Sequence, residues 1–199
     1  MAVSDTDIAN FALTRLGHAA IVNMTLDDSD EARAVNAIYT MCRDEVLAAH
    51  PWNFATRWSV LATIAGVPAN PNYTARYQMP TNALKVWSLQ TEGYSWVVEG
   101  QEILTDLASP VAQTTYRVTD SASFNPNFAM ALAYRLAAEL CNTLTARRGN
   151  AQDYWQLYAG KLQEAKTSDG MEGSPLLEDS NPLALARGSS PCECGDPQF

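Results

Sequence analysis

The chain has 199 residues, 47% hydrophobic and 18% charged, with a net charge of -9 from 22 acids against 13 bases; this suits one domain plus an appendage and excludes a disordered polymer. Its few lysines (Lys85, Lys161, Lys166) and scattered arginines, with Arg147-Arg148 the densest pair, exclude a protein that wraps nucleic acid by its phosphates. No apolar run approaches the roughly 18 residues that cross a bilayer, and Met1-Ala2-Val3-Ser4-Asp5 lacks the basic start and apolar stretch of a secretory signal, so folding in a cytoplasm is expected.

The first predicted element is a helix over residues 5–16. Ser4 with Asp7 three residues on forms a capping box with Asp in place of Glu or Gln. Ile8, Ala12, Leu13 and Leu16 share one face, and Gly17 supplies the stop. After a polar connection, Asp28 or Ser29 caps a second helix over 30–49. Its stripe is Val35, Ile38, Tyr39, Cys42, Val46 and Ala49. Asp30 and Glu31 suit the positive end of its dipole, and Pro51 closes it by pushing His50 out of the helical region.

From Trp52 to Asp120 the chain turns β-branched and aromatic, broken by Pro, Gly and Asn. Arg57–Ile64 alternates, with Trp58, Val60, Ala62 and Ile64 on one side. The stretch from Gly66 to Asn72 is a strong breaker. Further strands are expected at Tyr73–Met79, Leu84–Leu89, Trp96–Val98, Ile103–Leu107 and Thr114–Val118, with Glu99-Gly100-Gln101-Glu102 as a hairpin turn. Together they read as one small antiparallel sheet.

Helices then return. Asn125 caps and Pro126 fits the first turn. Phe128, Leu132, Leu136, Leu140 and Leu144 repeat every four residues to about Arg147, flanked by Ala129, Ala133 and Ala137, which allow close helix approach. That broad stripe reads either as bundle core or, in part, as a seam between subunits. Gly149-Asn150 separates it from a fourth helix over 151–167, with Tyr154, Leu157, Tyr158, Leu162 and Ala165 on its apolar face. From Ser168 the periodicity stops and acids, Gly and Pro dominate, which reads as an extended arm. The expected fold class is therefore α+β: a mainly helical bundle of about four helices, from residues 1–51 and 121–167, with a small antiparallel sheet inserted at 52–120 and a C-terminal tail at 168–199.

The chemistry-bearing residues form no reactive set. His18 and His50 end consecutive helical segments, with no nucleophile elbow beside them and no phosphate-cradling Gly-rich loop elsewhere. Cys42 and Cys141 fall on apolar helix faces as small hydrophobes. Cys192 and Cys194 offer two thiolates where a closed zinc site takes four ligands; a site shared between subunits is the sharper reading, inert tail thiols the plainer one. Asp27-Asp28-Ser29-Asp30-Glu31 lacks the alternating ligands and Gly of a calcium loop, so capping and solvation account for it. Trp52-Asn53-Phe54 and Tyr73/Tyr77 could stack bases, but without interleaved cations they read better as core closure. No catalytic residue, metal or cofactor is expected.

The order of several blocks resembles the phage head-to-tail connector adaptors, the tail tubular protein A-like family. The blocks are Ile8-Ala9-Asn10…Leu13…Leu16-Gly17; His50-Pro51-Trp52-Asn53-Phe54-Ala55; Tyr77-Gln78-Met79-Pro80-Thr81-Asn82-Ala83-Leu84-Lys85-Val86; Trp96-Val97-Val98-Glu99-Gly100…Ile103-Leu104; and Tyr116-Arg117-Val118-Thr119-Asp120…Phe124-Asn125-Pro126…Phe128. The likeness spans residues 5–173 and resides in the combination more than in any part. It implies a non-enzymatic virion subunit in a dodecameric ring, docked on the portal protein and handing double-stranded DNA to the tail nozzle protein. An acidic lumen suits that passage, because like charge keeps DNA from sticking. Pro175, Leu176, Leu177, Pro182, Leu183 and Leu185 are the expected partner-binding residues, as extended apolar segments that dock into grooves. The competing readings are another virion connector or tail-completion subunit, a DNA-packaging accessory that binds nucleic acid directly, and a soluble thiol-dependent host protein using Cys192 and Cys194.

Overall fold

The computed structural model describes residues 3–91, 93–144 and 151–173. Helix α1 (Asp5–Leu16) begins at the capping box read from the sequence: Ser4 Oγ accepts from the Asp7 backbone N–H, and the Asp7 carboxylate accepts from the Ser4 N–H. It ends at Gly17, whose φ of 78° is a left-handed conformation that glycine adopts at little cost. Ser29, not Asp28, caps α2 (Asp30–Ala48). Asn10 exchanges two hydrogen bonds with the Ile21 backbone, and the Tyr39 hydroxyl donates to Asp5 at 2.7 Å, so α1, its loop and α2 are pinned together.

Helix α3 (Pro126–Leu144) is the centre of the helical layer, packed against α1, α2 and α4 (Ala151–Met171). Phe128, Leu132, Leu136 and Leu140 are essentially inaccessible. Each such side chain contributes about 2 kcal/mol of apolar burial. The stripe is therefore core and not a subunit seam. The predicted helical hairpin forms, with α4 antiparallel to α3: Asn125 and Asn127 at the start of α3 bond Glu172 and Ser168 at the end of α4. Two details differ from expectation. Leu157 lies on the solvent side of α4, and the helix runs to Met171, four residues beyond the point where periodicity faded.

The intervening region is larger and more organised than expected. Seven strands form two antiparallel sheets: β1 (Thr56–Val60), β7 (Val111–Tyr116) and β4 (Ala83–Leu89) in the order β1-β7-β4, and β2 (Ala62–Thr63), β3 (Ala75–Gln78), β6 (Glu102–Thr105) and β5 (Trp96–Glu99) in the order β2-β3-β6-β5. The expectation of a mainly helical bundle with one small inserted sheet is thus corrected: the protein is α+β with a substantial strand component. The segment read as one alternating strand breaks at Leu61, which is buried between β1 and β2 and carries the chain from one sheet to the other. Leu61, Tyr77, Val86, Leu89, Ile103 and Ala112 then form a second core shared by both sheets. The turn at Gly100 (φ 63°) sets the Glu99–Glu102 register of the β5–β6 hairpin.

The β-region is tied to the helices by its first and last strands. The Tyr116 N–H donates to the Ala55 carbonyl at 2.9 Å, which continues the β1–β7 ladder, and just past β7 Arg117 Nε donates to Asp44 Oδ2 of α2 at 2.7 Å. Phe54, Leu84 and Val118 pack against the helical core. Among the described residues no helix is long and apolar enough to cross a membrane.

Candidate interaction surface

The block His50-Pro51-Trp52-Asn53-Phe54, at the junction of α2 and β1, is where helices, sheet and C-terminal helix meet. Trp52 is fully buried, donates its indole N–H to the Val46 carbonyl at 2.9 Å, and packs edge-on to Phe128. Phe54, Phe124 and Phe128 complete an aromatic cluster with ring centroids 4.8–5.8 Å apart. These rings close a core, as expected, and are not displayed for base stacking. Tyr77 is likewise buried in the second core, with its hydroxyl donating to the Leu107 carbonyl.

The same junction holds a polar link that the sequence did not announce. Asp169, only 2% exposed, accepts from the Asn53 N–H at 3.1 and 3.2 Å and lies 3.2 Å from His50 Nε2. Asn53 Nδ2 donates back to the Asp169 carbonyl at 2.7 Å. Burial holds the His50 imidazole below its ordinary pKa, outweighing the attraction of the Asp169 carboxylate. Asp169 lies in the stretch from Ser168 that reads as an arm, yet it continues the Tyr158–Leu162–Ala165 face of α4 by one more turn. That spacing was the available signal, and the adjacent Gly170 obscured it. His18 also serves a tie, with Nδ1 at 3.1 Å from Glu31 of α2.

Among the described residues, the cations are largely committed within the chain. Arg135, 7% exposed, bonds Glu45 and Glu139 at 2.6 Å and lies 4.3 Å from the Trp155 ring centre. Burial opposes its charge, but the two carboxylates prevail and raise its pKa. Arg43 and Arg117 share Asp44, Arg33 bonds Asp28 and Asp30, and Arg15, Arg57 and Lys85 lie over aromatic rings. Asp27, in the acidic run, accepts from the Val22 and Ser29 N–H groups, which lowers its pKa and fits a loop-capping role. Among the described residues no group of three or more His, Cys, Asp or Glu side chains converges as a metal set. Cys42 is buried in the helical core, and burial pushes its thiol up to about 11; Cys141 is buried too.

What the described surface offers instead is apolar area outside both cores. Trp58 is 54% and Val60 69% exposed on the outer face of β1, where Trp58, Gln90 and Val111 border a hollow of about 290 Å³. Of the side named in the sequence, Trp58 and Val60 face out from β1, while Ala62 belongs to β2 in the other sheet. A second hollow of about 290 Å³, almost wholly apolar, lies between α1 and α3. The expected partner-binding residues Pro175, Leu176, Leu177, Pro182, Leu183 and Leu185, with Cys192 and Cys194, fall outside the described residues.

No protein-family model matches the chain, and no curated protein matches it.

Proposed function

We propose that the chain is a structural head-to-tail adaptor subunit of a tailed bacteriophage, one copy of a ring that joins the portal to the tail nozzle and lets DNA pass. The observation that carries this reading is the order of sequence blocks from Ile8 to Phe128. These blocks make the joints of the fold: the α1 stop, the α2–β1 junction, the β3–β4 turn, the β5–β6 hairpin and the entry to α3. A division of labour between a self-sealed helical core and a separately cored β-region with Trp58 and Val60 outward supports it. Such a subunit needs a rigid body for ring packing and an adhesive face for the next component. The -9 charge, with most described arginines held by carboxylates or rings, suits a lumen that DNA crosses without binding. In the ring, residues 175–185 tie one subunit to the next or to the portal.

The decisive test is sizing of the purified protein alone and mixed with its portal ring. The expected result is a monomer alone that joins the portal as a multi-copy ring, and the same protein in purified virions. Failure to bind the portal together with absence from virions overturns the reading. So does salt-dependent retention on DNA, which would favour a packaging accessory.

A further inference from the structure

The hollow between α1 and α3 has an apolar floor of Ile8, Phe11, Met130 and Ala133, with Val3 and Pro126 at one end; Asp7 also borders it, its carboxylate taken up by Ser4 in the capping box. Phe11 packs edge-on to Tyr134, so α1 and α3 run side by side, and the hollow extends from the level of Pro126 to that of Ala133. Seven helical residues rise about 10 Å. The described chain ends at the Pro126 end of this groove, because Glu172 bonds Asn125, the residue before Pro126, at 2.6 Å. Only Gly173 and Ser174 then precede Pro175-Leu176-Leu177, three apolar residues that span about 10 Å when extended.

We propose that in the isolated subunit Pro175-Leu176-Leu177 occupies the α1–α3 groove of its own chain. Length, polarity and starting point all match. The segment is uncharged, and Glu178 and Asp179 follow only after the groove's length is filled. Proline supplies a preset backbone angle and no amide to desolvate, which lowers the cost of ordering. A two-residue tether gives an effective concentration in the millimolar range, so modest affinity is enough. On a ring template the same segment exchanges this groove for one on a neighbour, the inference going beyond the adaptor reading but not requiring it.

The test uses the full chain without any portal, so its failure is separable from failure of that reading. In a Cys192→Ser, Cys194→Ser background, Leu176→Cys is paired with Met130→Cys, and separately with Gln163→Cys on the exposed face of α4. Under mild oxidation the first pair should close within one chain at least about tenfold faster than the second, the margin a site-bound segment gains over a free tether. A second groove pair, Leu177→Cys with Phe11→Cys at the far end of the groove, guards against misfolding of the first. Equal closure rates for groove and control pairs overturn the proposal, as does a disulfide that joins two chains instead of one.

Discussion

Replacing Asp169 tests whether the end of α4 is a structural clasp or the start of a dispensable arm. Its carboxylate, itself buried, serves the Asn53 N–H and His50 Nε2, both of which keep some contact with solvent. Asp169→Ala leaves both without their acceptor. An orphaned buried donor costs about 1–3 kcal/mol. Because Asn53 is an exposed residue and His50 retains 23% side-chain exposure, water can partly serve both donors, and the expected loss is about 1–2 kcal/mol in all. Asp169→Asn keeps one carbonyl oxygen for the Asn53 N–H and should lose only about 1 kcal/mol. Truncations sharpen the test. A chain ending at Thr167 lacks the clasp and the Asn127–Ser168 and Asn125–Glu172 bonds, whereas one ending at Gly173 keeps them all. Urea unfolding at neutral pH, with equal m-values, measures each difference. An Asp169→Ala protein within about 0.5 kcal/mol of the parent, or two truncations of equal stability, refutes the clasp.

Three further outcomes are expected. His50 has a folded-state pKa below the ordinary value of about 6.5, so the unfolded chain takes up its proton first as pH falls. Its contribution is intact above pH ~6.5 and is lost progressively as pH falls below it, so denaturation midpoints should drop on that side, and His50→Gln should flatten that slope. Trp52→Ala removes a fully buried indole from the junction and should cost about 3–5 kcal/mol in thermal or urea unfolding. Gly100→Ala, at φ 63°, should destabilise by about 1 kcal/mol, while Gly160→Ala, in α4 with open space around it, should stabilise by up to ~1 kcal/mol in the same assay.

Much of the fold is legible because its signals are local. A capping box, a C-terminal glycine, the Asn125-Pro126 entry and a two-residue hairpin each act within about four residues, so α1, α2, the start of α3 and the β5–β6 turn fall within a residue or two of their expected bounds, while the expected end of α3 near Arg147 lies outside the described residues. The failures lie where a long-range partner decides. Alternation from Arg57 to Ile64 is a real strand signal, but nothing local says that β1 pairs with β7 and β2 with β3. The break at Leu61 is created by those two pairings. With it went the second sheet, and the strand content of the protein was read too low.

The apolar surface shows the same division. Periodicity identifies Trp58 and Val60 as one side of a strand without telling which side meets a core; in the fold they face out, and the shared core takes in Leu61, just past the end of β1, instead. Leu157 belongs to the apolar pattern of α4, yet it stays outside because α3 fills only part of that helix's circumference. Asp169 is the clearest case. Alone it reads as a tail acid, and its partner Asn53 lies 116 positions away.

The sequence by itself determined where helices start and stop, which turns form, and the absence of a large cationic field, since these depend on neighbouring residues and on composition. Only the tertiary structure decided the pairing of strands into two sheets, which apolar faces remain exposed, and that a carboxylate near the C-terminal end of α4 closes the junction of α2 and β1. Those outcomes depend on contacts between segments far apart in the chain, and a short-range pattern carries no record of which distant segment will arrive.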